Sequence, residues 1–228
     1  MLTSKKMIAT LLAASGVALC VLTAAPAHAA TPAGLPTEFV NSVTAVWSSN
    51  GVSDSTQQAL LGVLAEGGAI DAQRADRSPV SSTVSDRGTS FVEVKRYADG
   101  SINVFTLEKP AAGDNGGSPQ AVQGCSVEST PQIYRRCTVN GQFTGVALAF
   151  FADYQLSDSS HAAILMYDSA TVQCFYPLSC STPVFEALRM QQNGSLPATL
   201  TLTTNYSGIG TGTTRLVLTV AGLSAQSN

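Results

Sequence analysis

In the last third of the chain, apolar residues fall on every second position. Leu200 and Leu202 alternate with Thr199, Thr201 and Thr203, and Leu216, Leu218 and Val220 alternate with Arg215, Val217 and Thr219. A period of two puts one set of side chains on one face of an extended strand. A strand with one apolar face has to bury it, so a second layer is required. The same alternation runs through Val146, Leu148 and Phe150 and on to Tyr154 and Leu156. Turn residues stand between these runs, at Asn140-Gly141, Asn193-Gly194 and Gly208 to Gly212. About seven strands are predicted, near 125–130, 133–139, 143–156, 162–173, 184–191, 197–206 and 213–222. Short strands with regular turns predict an antiparallel β-sandwich, with a barrel as the alternative.

The residues before this block read differently. Pro36 suits a first helical position, and Phe39, Val43, Val46 and Trp47 then lie on one helical face. Trp47 reads as core. Ser53 is a good N-cap, Asp54 follows it, and Leu60, Val63 and Leu64 supply an apolar stripe that Gly67-Gly68 ends. The short connection predicts a helical hairpin. Val80 to Asp86, Phe91 to Tyr97 and Ile102 to Leu107 read as a three-stranded meander, with Asp99-Gly100 in its second turn. Lys95-Arg96 reads as a solvated strand end. The chain is therefore expected to be mainly β. A small α+β domain (30–109) precedes a Gly/Pro/Ser-rich linker (110–121) and a sandwich domain (122–228) able to fold alone.

The first 29 residues have a separate logic. Lys5 and Lys6 precede an apolar run from Met7 to about Ala25, and Ala27-His28-Ala29 offers small residues at both peptidase positions. This is a secretory signal, predicted to be cut after Ala29. Export makes disulfides expected, and Cys125, Cys137, Cys174 and Cys180 remain after cleavage. Four cysteines allow three pairings; the local ones, Cys125–Cys137 and Cys174–Cys180, are favoured. Each closes a short loop worth roughly 2–3 kcal/mol in the chain-entropy model.

Charge narrows the function. Removing Lys5 and Lys6 leaves 10 of the 12 basic residues against 15 acidic ones, a net charge of −5. No basic run is available to neutralise phosphates, which argues against nucleic-acid partners. One remaining histidine, His161, and four spaced cysteines argue against a metal or cofactor site. No stretch of the mature chain reaches the ~18–20 apolar residues of a spanning helix.

Several motifs together resemble uncharacterised secreted proteins of Gram-positive, actinobacterial-type bacteria. They are the stretch from Val52-Ser53-Asp54 to Leu60-Leu61, then Gly67, Asp71 and the Tyr97-Ala98-Asp99-Gly100-Ser101 turn. Cys125, Cys137-Thr138-Val139, Phe151-Ala152-Asp153-Tyr154 and the Cys174/Cys180 pair extend the likeness over most of the mature chain. The resemblance implies a secreted bacterial protein and brings no activity or site residues.

Catalytic constellations are hard to assemble. Gly113-Asp114-Asn115-Gly116-Gly117-Ser118-Pro119 has Asn115 where a serine-protease string needs its nucleophile. No Gly-x-Ser-x-Gly elbow exists. His161 has Asp153 and Asp168 nearby in sequence, but nothing in the spacing forces a triad. Asp153 is the oddest acid, lying inside an apolar strand. The expectation is therefore a secreted, non-catalytic binding protein with a protein or cell-wall ligand, and no catalytic residues are assigned. A protease inhibitor and a hydrolase with an unrecognised site are the alternatives. The predicted contact surface is the ring from Cys174 to Cys180, through Phe175, Tyr176 and Leu178. It concentrates aromatic side chains in a chain that is only 7% aromatic.

Overall fold

A computed structural model describes residues 34–110, 124–129, 132–157 and 161–228. The predicted signal and almost all of the predicted linker, with its Gly113–Pro119 string, lie outside the described residues. The chain is mainly β. Two helices, α1 (Thr37–Ser49) and α2 (Asp54–Ala65), and a 3-10 turn (Asp71–Gln73) lead into antiparallel strands. The strands are β1 (Ser81–Asp86), β2 (Ser90–Arg96), β3 (Ile102–Glu108), β4 (Ser126–Ser129), β5 (Gln132–Phe143), β6 (Val146–Gln155), β7 (Ala163–Cys174), β8 (Ser179–Cys180), β9 (Val184–Arg189), β10 (Ala198–Gly208), β11 (Gly210–Ala221) and β12 (Ser224–Ser227).

All seven predicted strands of the C-terminal block are present, and β8 and β12 add to them. They build a sandwich. One sheet has the order β1-β2-β3-β5-β6-β7, with β4 also on β5. The other runs β12-β11-β10-β8, with β9 also on β10. The alternating leucines do what their period requires: Leu200, Leu202, Leu216, Leu218 and Val220 are fully buried, opposite Val139, Leu148 and Phe150 of the other sheet.

The division into an α+β domain and a separate sandwich domain does not survive. Val104–Leu107 of β3 pair with Val139–Gln142 of β5, so the meander continues the sandwich sheet. The described residues form one compact unit. The physical reason is that β3 is apolar on both faces. Phe105 and Leu107 point into the sandwich core, while Ile102 and Val104 point into a second core under the helices. A meander whose last strand is apolar on both sides cannot satisfy it with one hairpin of helices.

The helices begin where the sequence indicates. Ser53 Oγ accepts from the Thr56 amide at 3.3 Å, a cap worth about 1 kcal/mol. Phe39, Val43 and Trp47 of α1 and Leu60, Leu61 and Leu64 of α2 pack on Val92, Val94, Ile102 and Val104. Lys95 and Arg96 are not a solvated strand end. Arg96 donates to the Asn50 carbonyl, tying β2 to the end of α1, and Lys95 turns to the other face over the Phe105 ring.

Both predicted disulfides are formed, Cys125–Cys137 and Cys174–Cys180. Glu108, at the end of β3, anchors the first. It accepts from the Cys125 amide at 3.1 Å, and from the Thr138 amide and hydroxyl at 2.9 and 2.6 Å. Burial disfavours the charged carboxyl, but these hydrogen bonds outweigh it and hold Glu108 below its ordinary value. A carboxyl depressed in the folded state stabilises above its unfolded pKa, and that contribution is lost as pH falls through the folded value. Thermal melts should therefore show Glu108→Gln less stable than wild type near neutral pH, with the gap closing below about pH 4. A gap unchanged by acid would show that the charge plays no part.

Candidate ligand-binding surfaces

The Cys174–Cys180 ring carries the chain from one sheet to the other, since β7 ends at Cys174 and β8 holds Ser179 and Cys180. The Phe175 amide donates to the Gly145 carbonyl at 3.0 Å, and the Leu178 amide donates to the Phe175 carbonyl at 2.9 Å. Leu178 is only 5% exposed and Phe175 packs half-buried against the helical core. Gly145, at φ +75°, lets this happen: a Cβ there would collide with the Phe39 ring and with Leu178. Tyr176 alone of the three predicted contact residues projects, at 69% exposure, and Pro177 follows it through a cis peptide bond. The ring is thus a plug between helix and sandwich that leaves one aromatic outside. Leu178→Ala should cost about 2–5 kcal/mol of unfolding free energy, and Tyr176→Ala no more than about 0.5 kcal/mol. Denaturant titration distinguishes them, and equal losses would contradict this placement.

Asp153 has a structural explanation. The β5 register shifts between Tyr134 and Cys137, leaving Arg135 and Arg136 in a bulge, with Arg136 at φ +50°. On the other side of β6 a second shift brings Ser169 of β7 to φ +55°. Asp153, buried on β6, answers the first bulge. The Arg136 amide donates to it at 2.7 Å and Arg135 Nη1 at 3.1 Å. Arg135 also meets Glu128 at 3.1 Å, and Arg136 lies over the Phe151 ring and 3.7 Å from Asp168. Each carboxylate here is held by a guanidinium, which is the arrangement of an ion network rather than of a free general base. His161 stands exposed just before β7. Among the described residues, no group of three or more His, Cys, Asp or Glu side chains could hold a metal ion.

A trough runs along one face of β2 and β3, where the wide sheet extends past the edge of the narrow one. Alternation puts Phe91, Glu93 and Lys95 on this face of β2, with Tyr97 just past the strand end, and Asn103, Phe105 and Leu107 on this face of β3. The edge of the other sheet walls it, with Thr213–Val217 at one end and Leu223–Ser227 at the other.

The two ends differ chemically. One is an apolar slot of about 410 Å³ between Val84, Phe91, Leu107, Leu156 and Leu223. The stacked rings of Tyr134 and Tyr154, 4.7 Å apart, close it. Burial, with the nearby Tyr134 and Glu108, pushes the Tyr154 phenol well above its ordinary value, so it stays a neutral hydroxyl.

The other end is a polar groove of about 570 Å³. Asn103 and Thr144 border it, 5% and 3% exposed. Asn103 Nδ2 donates to the Ala72 carbonyl and the Tyr97 hydroxyl, both at 3.2 Å, but its Oδ1 has no partner among the described residues, and neither has Thr144 Oγ1. Arg74, Lys95 and Arg215 line the same groove, and no acidic side chain does. Gly212 makes room for the Tyr206 ring, which a Cβ at that position would strike.

Sequence reasoning missed the groove because its parts come from distant places: the 3-10 turn, β2, β3, the end of β5 and the turn after it, β10, β11 and Asn228. Only Lys95 carries any signal, as part of a basic pair that reads as a solvated strand end. No family model, no curated protein and no solved structure matches this chain.

Proposed function

We propose that the protein is exported from a Gram-positive-type bacterial cell, loses residues 1–29, and acts outside as a non-catalytic binding protein whose ligand lies in the β2–β3 trough. Export is supported by the sequence of residues 1–29, by two disulfides, and by the resemblance described above. In addition, no helix among the described residues is long and apolar enough to cross a membrane. Intact mass of the protein recovered from culture medium should correspond to a chain beginning at Ala30.

The observation that carries the binding reading is the pair of unpartnered, deeply buried polar atoms on Asn103 and Thr144. A buried polar atom without a hydrogen bond costs about 1–3 kcal/mol, and a ligand that satisfies it recovers that cost. Two such atoms on one concave groove are a reason for a polar ligand to bind there. Against a hydrolase stands the pairing of Asp153 and Asp168 with arginines. Against a ring-based protease inhibitor stands the inward turn of Phe175 and Leu178, which leaves Tyr176 as a single secondary contact.

Cell-wall material is the first ligand to test. Mature protein mixed with purified Gram-positive sacculi should pellet with them and release no soluble sugar. Arg215→Glu should stay in the supernatant while retaining the wild-type melting temperature. Wild-type protein that fails to pellet would overturn the wall-ligand reading.

A further inference from the structure

We infer that the polar end of the trough is a site for an acidic saccharide: hydroxyl groups bind at Asn103 and Thr144, and a carboxylate or phosphate binds between Lys95 and Arg215. This rests on the trough being the binding site and names the class of ligand it takes.

The donor and acceptor inventory sets the hydroxyl requirement. Asn103 Oδ1 can only accept, because its amide nitrogen already donates to Ala72 and Tyr97. A ligand must therefore offer it an O–H or N–H. Thr144 Oγ1 can donate and accept, and neither capacity is used by the described residues. A hydroxyl group is the one common ligand group that serves both atoms, and adjacent ring hydroxyls supply a pair. The walls suit a sugar ring as well. Tyr97, Phe143 and Tyr206 bring aromatic surface to the same groove.

The charge requirement comes from the cations. Residues 30–228 carry ten Lys and Arg, and three of them line this groove in a chain whose net charge is acidic. Arg74 is committed to Asp76, its Nη2 lying 2.9 Å from the carboxylate. Lys95 is only loosely engaged, 3.9 Å from Glu93, and sits 4.9 Å from the centre of the Phe105 ring. Arg215 is exposed on β11 beside the groove, and none of the ion pairs among the described residues includes it. A guanidinium and an ammonium lining one groove, with no acidic side chain in that lining, attract an anion and repel a cation.

The test is titration of the mature protein with three probes, followed by amide chemical shifts and calorimetry. Tetragalacturonate carries carboxylates, mannose 6-phosphate carries a phosphate, and maltotetraose is neutral. At least one acidic probe should bind tenfold or more tightly than maltotetraose, with shifts centred on residues 95–105, 144 and 213–217. Which acidic probe binds identifies the anion. Arg215→Gln and Lys95→Met should each weaken that binding about fivefold or more, and raising the salt should weaken it more in the wild type than in either charge variant. Thr144→Val should weaken the acidic probe and leave the salt dependence in place.

Maltotetraose binding as tightly as the acidic probes, with shifts in the same groove, would overturn the inference and leave the trough as a neutral-sugar site. Acidic probes that bind with shifts around Arg135 and Arg136, or that bind both charge variants as tightly as wild type, would overturn it too. So would the absence of binding by all three probes. In that case pelleting with sacculi still decides separately whether the protein is a wall binder.

Discussion

A fragment of residues 122–228, produced without the preceding chain, will fail to unfold cooperatively. Such a fragment keeps both disulfides and every strand from β4 to β12, so its sequence pattern alone favours independent folding. What it loses is β3. Phe105 and Leu107 leave the sandwich core, and Val139–Gln142 of β5 lose their ladder partners. Burial of a Phe and a Leu side chain contributes about 1.5–3 kcal/mol each. Phe143 loses the Phe105 ring that stands edge-on to it at 5.6 Å, and an apolar strand edge opens on β5. The helical core goes too, which removes the packing around Leu178 and Val146. Losses of this size approach the roughly 5–15 kcal/mol that holds a whole domain together. Circular dichroism with urea titration checks it. A single sharp transition in the fragment would mean that β3 is dispensable to the sandwich.

Phe39→Ala will be among the most damaging single substitutions, at about 3–5 kcal/mol. Phe39 is fully buried in the helical core, and its ring and the Leu178 side chain both lie against Gly145. It therefore joins α1 to the β5–β6 turn and the Cys174–Cys180 ring, and its loss opens a cavity at the junction of three elements. The double variant Phe39→Ala with Leu178→Ala should cost less than the sum of the two, because both empty the same space beside Gly145. Strict additivity in urea titrations would show that the ring and helix are independent.

Much of the secondary structure was legible because it rests on short-range rules. The period-two leucines, the Ser53 cap and the turn glycines each specify local geometry without reference to distant residues. Both disulfides were legible for a similar reason: short loops close at the lowest entropic cost. The domain boundary was not. Phe105 and Leu107 alternate with Val104 and Thr106 as any half-buried strand would, and alternation alone does not reveal that both faces of β3 are covered. The missed strands β8 and β12 are two and four residues long, too short to carry a period.

The contact ring shows the same limit. Its aromatics and proline were conspicuous, but direction is a property of what surrounds a side chain. Phe39, more than a hundred residues away, shares with Leu178 the buried space beside Gly145. Asp153 looked anomalous in an apolar strand, and only the bulge at Arg135–Arg136 brings it the two donors that justify a buried carboxylate. The groove is the extreme case, since Asn103, Thr144 and Arg215 are unremarkable polar residues in three separate strands or turns. Local preference and disulfide pairing are written in neighbouring residues and could be read in order along the chain. The joining of the meander to the sandwich, the inward turn of Leu178, and the meeting of two unpartnered polar atoms with Lys95 and Arg215 were decided by long-range packing, because hydrophobic burial selects the partners that exclude most water and takes no account of their distance in sequence.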